Sequence, residues 1–479
     1  MRCRILILTL ALSRLPVSGQ SKFVRAERGQ ATIEINTAKT ASYEIPRTIY
    51  GTFLEAIGRS VYGGLWAQIL ENPSFEENLW SGENLRQMLG QEPALARSSG
   101  MGLPLPWEPL AYSQGWRYEP CWNDAANSFR SLLVMGLPDH QVGVRQQVYL
   151  PVHRTLRYTG SLYARTTGSP VGAEVSLRRR NHPEARLAQV ALHLTSQQWA
   201  RYEFSLQLSP GQLGPLDLAD FVIALSNDGR ALIDQALLFP ADHVDGMDPE
   251  MIAMARALKT PLVRFGGNFT SGYHWRDGVG PLDRRVSMLN QAWGIPEYNH
   301  FGTDEFLRFC ELVGAEPQIG LNLGSGTPEE AAEWVRYVND RWGDRRGGLL
   351  WELGNELWGS FQIGYPTLGQ VAARTKAFSD AVRRVDARAR LIATGQDPDH
   401  FREWNAAQLG LGPDAYQFLS THFVVGTANL RRRDPAPEFI AEAAFALPVG
   451  LERSLREMKA QIDADSSARG RVKIAFTEW

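Results

Sequence analysis

Two glutamates stand out, because each closes a short apolar run. Glu356 ends Trp351-Glu352-Leu353-Gly354-Asn355-Glu356, and Glu478 sits in Ile474-Ala475-Phe476-Thr477-Glu478-Trp479. Two carboxyl groups brought to one point suit one kind of chemistry on sugars. One protonates the oxygen that leaves a glycosidic bond; the other attacks the anomeric carbon or activates a water to do so. A lone glutamate is usually a solvated surface group, but two in this setting, one preceded by Gly-Asn, make a stronger signal. Other polar residues also fall at the carboxyl ends of apolar runs: Glu55, Arg264 with Asn268, Asn322, Asn355 and His422. The nine His show no metal-ligand spacing, and the chemistry requires no cofactor or metal.

The elements that must position these residues follow from periodicity. After Met247, short apolar runs (Leu262 to Phe265, Gln318 to Leu323, Leu349 to Leu353, Leu391 to Thr394, Phe418 to Phe423, Val472 to Phe476) alternate with helical patterns. Thr303 as N-cap, with Phe306, Phe309, Cys310 and Val313 on one face and Gly314 as stop, predicts one helix. Thr327-Pro328 opens another. Such alternation means parallel strands with crossover helices, in a doubly wound sheet or a barrel. A barrel gathers every strand end on one rim, whereas a doubly wound sheet spreads them along a line. The polar strand ends therefore favour a (β/α) barrel, with Ile49 to Glu55 as its first strand. Residues 76 to 243 read instead as all-β, with short strands and turn clusters such as Asn227-Asp228-Gly229, the pattern of a sandwich.

The chain has 479 residues, 44% hydrophobic and 21% charged, enough for two or three domains with sizeable cores. A net charge of -2 lacks the basic footprint of a nucleic-acid binder. Residues 1–20 read as an export signal, with Arg2 and Arg4 before the apolar run Ile5 to Leu12 and small residues near Gly19. This predicts a secreted protein, extracellular or periplasmic. No other segment reads as membrane-spanning. Without Cys3, only Cys121 and Cys310 remain, which is no disulfide framework.

The motifs resemble those of clan A glycosidases and, within that clan, the family 51 α-L-arabinofuranosidases. The matching stretches are Ile49 to Glu55, Tyr62-Gly63-Gly64-Leu65-Trp66, Asn72 to Glu76, Arg264 to Phe269, Gly272 to Pro281, Phe301 to Phe306, Gly354-Asn355-Glu356 and Thr477-Glu478-Trp479. The resemblance implies a (β/α)8-type TIM barrel over 244–479, joined to the strand segment 21–75. An all-β jelly-roll sandwich like a carbohydrate-binding module is inserted at 76–243. It implies a retaining exo-enzyme releasing terminal arabinofuranosyl units from hemicellulose or pectin. Glu356 would be the acid/base and Glu478 the nucleophile, each raising the other's pKa. Asn355 would hold the sugar 2-hydroxyl, Glu55 and Asn268 other hydroxyls, and Arg264 the ionised nucleophile, with His422 also at the substrate. Trp107, Trp116 and Trp122 would offer stacking faces on the sandwich.

The chain departs from the family pattern at four points. The Arg264 motif lacks a Pro before Gly266-Gly267, Ala56 replaces a His, and Val424 stands where a Tyr touches the nucleophile. An eighth strand and a closing β-domain are not found, which predicts a fragment of a longer protein. These departures leave room for a sister glycosidase acting on β-glucan or xylan, or for a non-catalytic carbohydrate-binding protein. A homo-oligomer is left open.

Overall fold

The computed structural model describes residues 44–180, 182–343, 348–425 and 434–479, together with 37, 38 and 42. The expected export signal and the strand around Ile33 lie outside the described residues.

Among the described residues, seven parallel strands form one sheet: Thr52–Leu54, Leu262–Phe265, Glu316–Leu321, Leu350–Leu353, Arg390–Ala393, Phe418–His422 and Lys473–Glu478. Each pairs with its sequence neighbour, so spatial order equals chain order. A doubly wound sheet would reverse direction at a switch point; an unbroken order with a helix at nearly every crossover is the winding of a TIM-type barrel. The inner strands are short and apolar because they are covered on both faces, and all four residues of Leu262–Phe265 are buried, whereas Thr52–Leu54 and Lys473–Glu478 at the two ends of the sheet have no buried residue. Around them lie the helices Pro249–Leu258, Thr303–Val313, Pro328–Trp342, Leu368–Val385, Pro398–Leu409 and Pro437–Ala464. Thr327 caps its helix, its hydroxyl accepting from Glu330 N at 3.1 Å, and Gly314 ends the preceding one in the left-handed region at φ 75°. Phe265 stacks on Phe306 at 5.0 Å, locking strand to helix.

One strand is shorter than its apolar run suggests. Ile49 and Tyr50 belong to an exposed 3-10 turn, and only Thr52–Leu54 pairs with Leu262–Phe265. Glu55 still follows directly, so the rim position survives.

The segment 76–243 is not all-β. It begins with two helices, Gly82–Gln91 and Pro93–Gly100. Polar, glycine-containing sequence hid them, but Ser81 accepts from Asn84 N at 3.2 Å and Pro93 occupies the first turn of the second. Beyond them two five-stranded antiparallel sheets face each other across a core that includes Leu132, Val144, Tyr158, Val175 and Phe221. His182–Leu194, a long strand that sequence reading did not single out, carries Pro183 and keeps most of its side chains at least partly exposed. Asp234 accepts from Ala126 N and Asn127 N, and the Asn127 amide reaches Asp283 O and Arg285 O at 3.0 Å, tying the sandwich to the barrel. Cys121 and Cys310 are free thiols. Among the described residues no helix is long and apolar enough to cross a membrane.

Glu297 is buried, accepting from Tyr62 OH and from Asn299 N, and burial pushes its carboxyl up to about 7. A carboxyl raised in the folded state favours the fold while protonated. Its contribution is therefore complete below the ordinary carboxylate range and is lost as pH rises through about 7. Melting temperature should fall between pH 5 and 8, and Glu297→Gln, which cannot ionise, should flatten part of that fall in a pH series of thermal melts.

Candidate active site

Arg264 organises the rim. It sits inside the second barrel strand and is 2% exposed. Its Nε donates to Glu352 Oε2 at 2.6 Å, its Nη2 to Asn355 Oδ1 at 2.6 Å, and its Nη1 to Glu478 Oε2 at 3.3 Å. One guanidinium thus braces the second, fourth and seventh strands, the fork geometry that suits arginine and not lysine. Burial alone would loosen its proton, but the surrounding carboxylates outweigh that and raise its pKa. Arg264 is therefore both a buried ion pair, with Glu352, and a neighbour of Glu478.

The two glutamates singled out from sequence meet at His422. Its Nδ1 lies 2.9 Å from Glu356 Oε1 and 3.5 Å from Glu478 Oε2. These two oxygens can be no further apart than the sum of those distances. That ceiling leaves room for the roughly 5–5.5 Å separation of a nucleophilic, retaining pair. The other imidazole nitrogen lies 2.9 Å from Thr477 Oγ1, which fixes the ring.

The local backbone explains how Glu356 is aimed. Gly354 has φ 85° and Glu356 itself φ 43°, a left-handed conformation that costs a side-chain-bearing residue about 1–3 kcal/mol. Thr394 Oγ1 holds this turn by donating to Leu353 O at 3.0 Å and Gly354 O at 3.2 Å, and Gly359 N donates to Glu356 O at 2.8 Å. Gly267, at φ 96°, must be glycine for a second reason: a Cβ there would come within 2.3 Å of the Glu55 carboxyl carbon. The Pro-less loop therefore still delivers Asn268, whose Oδ1 accepts from Asn355 Nδ2 at 2.9 Å and from Gln362 Nε2. Glu55 Oε1 accepts from Trp293 Nε1 at 2.8 Å and Phe269 N at 3.1 Å.

Burial raises the pKa of Glu478, opposed by His422 and Arg264 and assisted by Glu356. The push of Glu356 on Glu478 ranks behind desolvation and behind the opposing pull of His422 and Arg264. Burial likewise raises Glu55, against the bonds from Trp293 and Phe269.

Thus Glu55, Arg264, Asn268, Asn355, Glu356, His422 and Glu478 converge. Asn322 does not join them; it braces its own loop, accepting from Gly324 N and Ser325 N and donating to Tyr273 O. Trp107 is fully buried, stacked 4.7 Å from Phe75 with its Nε1 on Asn72 O, and so has no free face. The Trp116 side chain lies outside the described residues; Trp122 is 50% exposed. Val424 is 64% exposed. Residues missed from sequence are Glu352, Gln362, Trp293 and Thr477. Glu352 carried a signal, as an acid inside an otherwise apolar strand, and Thr477 stood within a matching stretch without a role of its own. Among the described residues no cluster of three or more His, Cys, Asp or Glu could hold a metal ion.

Arg264→Met should leave Glu352 buried without its cation, costing about 3–5 kcal/mol in a melt. In the folded fraction, loss of a cation beside Glu478 should move the acidic limb of kcat/KM to higher pH. An unmoved limb would mean that the guanidinium has no electrostatic hold on Glu478.

Residues 254–434 match the family model described as Alpha-L-arabinofuranosidase 1 domain. The chain is 39% identical over 262 residues to the "Probable alpha-L-arabinofuranosidase C" of Aspergillus fumigatus, which covers 50% of this chain and 51% of that protein. It is 30% identical over 295 residues to the "Intracellular exo-alpha-(1->5)-L-arabinofuranosidase" of Halalkalibacterium halodurans, covering 56% of each. The chain thus spans about half the length of the curated relatives it matches. An arabinose-bound GH51 α-L-arabinofuranosidase shares its fold over 80% of this chain and 63% of that one, with a TM-score of 0.60 at 18% identity. The motif resemblance and these matches agree in what the chain is similar to: α-L-arabinofuranosidases, over about half of their length.

Proposed function

We propose that the protein is a retaining exo-α-L-arabinofuranosidase, acting on terminal arabinofuranosyl units of arabinose-containing polysaccharides such as hemicellulose or pectin. The observation that carries this reading is the approach of Glu356 and Glu478 to one imidazole nitrogen, 2.9 and 3.5 Å away. Ionised Glu478 attacks the anomeric carbon while Glu356 gives its proton to the departing oxygen, leaving an arabinosyl ester on Glu478. Glu356, now a carboxylate, takes a proton from a water that attacks the same carbon from the opposite face. Arabinose leaves with its configuration retained, and Glu356 regains its proton. Asn355, held between Arg264 and Asn268, is placed to bind the 2-hydroxyl, while Glu55 and Asn268 hold others. Relatives named for arabinofuranose support the sugar; no observation favours β-glucan, xylan or a purely binding role.

On the same reading the seven strands are those of a (β/α)8 barrel, and the two antiparallel sheets are a jelly-roll module that binds carbohydrate, with Trp122 as its exposed face. The basic and apolar start of the chain supports export. An aryl α-L-arabinofuranoside, followed by NMR of the first sugar released, tests the central claim. No turnover by a protein with an intact melt, or first release of the β-anomer, would overturn it.

A further inference from the structure

An acid in a barrel interior is out of place, and Glu352 is one. In Leu350–Leu353 the alternation of a strand sends Trp351 and Leu353 into the apolar core, both fully buried, and Glu352 to the opposite face. Branched apolar side chains dominate the inner layers of such barrels, but here Arg264, Gln318 and Glu352 meet. Arg264 lies in register with Gln318 on the neighbouring strand, and Gln318 Nε2 approaches Glu352 Oε2 at 3.5 Å. The Glu352 side chain is 1% exposed, and its Oε1 has no hydrogen-bond partner among the described residues. A buried carboxylate is unfavourable unless paired, and this one has one short bond, from Arg264 Nε at 2.6 Å.

That bond decides how the guanidinium stands. Arg264 is held through Nε, and its central carbon lies 4.8 Å from the centre of the Phe53 ring. Its two remaining nitrogens then face the site, Nη2 on Asn355 Oδ1 at 2.6 Å and Nη1 on Glu478 Oε2 at 3.3 Å. The same bond divides the charge. Glu352 is the nearer carboxylate and Glu478 the further one, so less than a full cation acts on Glu478. A carboxylate beside an unshared guanidinium would stay ionised but attack slowly, because reactivity falls with basicity. Burial, Glu356 and Glu352 hold the Glu478 carboxyl above its ordinary range against His422 and Arg264, and Glu55 also faces it.

We propose that Glu352 is a positioning residue for the reaction: it fixes the orientation of Arg264 and takes up part of its charge, leaving Glu478 ionised yet reactive. The proposal rests on the reading of Glu478 as the nucleophile. Glu352 acts through Arg264, not on the sugar.

The test follows the acidic limb of kcat/KM for an aryl α-L-arabinofuranoside, which reports the ionisation of Glu478 in the free enzyme. Glu352→Gln keeps an oxygen for Arg264 Nε but removes the charge. The limb should move to lower pH by about one pH unit, and the plateau should fall about 3–10-fold. Glu352→Asp keeps the charge but is one methylene too short to hold Nε. Its limb should stay in place while kcat falls and KM changes little, and melts report whether each variant is folded. Carboxyl ¹³C NMR of glutamate-labelled protein, with Glu478→Gln assigning the signal, should show the same downward step in Glu352→Gln without any turnover. A limb and a ¹³C titration that stay put in folded Glu352→Gln, or full kcat in folded Glu352→Asp, would overturn the proposal and leave the proposed activity standing. If the unaltered protein hydrolyses no arabinofuranoside, the proposed activity falls, and the ¹³C titration by itself decides whether Glu352 sets the ionisation of Glu478.

Discussion

Glu478→Ala should lower turnover of an aryl α-L-arabinofuranoside by about 10⁴-fold or more, and azide should restore part of the lost rate. The carboxylate in question lies 3.3 Å from a guanidinium that is itself pinned by Glu352 and Asn355. Removing it leaves a space facing the anomeric carbon, beside a fixed positive charge that attracts a small anion. Azide in that space performs one displacement where the enzyme performs two, so the product should be β-L-arabinofuranosyl azide, inverted from the substrate. NMR of the product decides between roles. Rescue with inversion marks a nucleophile, whereas an equally slow variant that azide does not rescue would reduce Glu478 to a structural partner of Arg264. The rescue should also fade in an Arg264→Met background, since the anion would lose its cation.

Glu356→Ala should behave differently, and the difference is what assigns the acid. For a sugar leaving group, which departs as a poor alkoxide unless protonated, the loss should be about 10²–10⁴-fold. For a dinitrophenyl glycoside, whose phenolate needs no proton, the first step should survive while the second lacks its base. The ester on Glu478 should then accumulate, seen as a burst of phenolate and as an arabinosyl adduct on a Glu478-containing peptide by mass spectrometry. Azide attacking that ester adds a second inversion, so its product should be the α-azide. Equal losses on both substrates, with no burst, would mean that the glutamate next to Asn355 is not the acid. His422, which touches both carboxyls, makes this comparison necessary, because loss of either glutamate also frees the imidazole from a partner.

The same distances explain why the site is legible in one respect and hidden in another. Strand-end residues need no tertiary information to be found. An acid after a buried run such as Leu350–Leu353 or within Lys473–Glu478 conflicts with its surroundings, and once the runs are parallel strands in sequential order, their ends must share a rim. The Thr327-Pro328 start and the Gly314 stop were equally legible, since they act through local backbone chemistry, whereas the cap expected at Thr303 falls on Gly302, with Thr303 the first helical residue. The two helices at Gly82–Gln91 and Pro93–Gly100 were not, because they lack an apolar stripe. Nor was the exposed turn at Ile49 and Tyr50, where an apolar run suggests a strand but the chain has yet to reach its partner.

What the sequence determined by itself was therefore the inventory: two carboxylates, an arginine, two asparagines, a third glutamate and a histidine, each placed at the end of an element whose type follows from local periodicity. What only the tertiary structure decided was who touches whom. It gave Arg264 three partners instead of one, put Glu352 into the site and Asn322 out of it, and turned Trp107 inward. It also made burial, not the neighbouring carboxylate, the main influence on Glu478. Those outcomes depend on distances of a few ångströms between strands up to 214 positions apart in the chain. Local patterns carry no information about such distances, because they are fixed by how the strands register and how the side chains compete for one guanidinium and one imidazole.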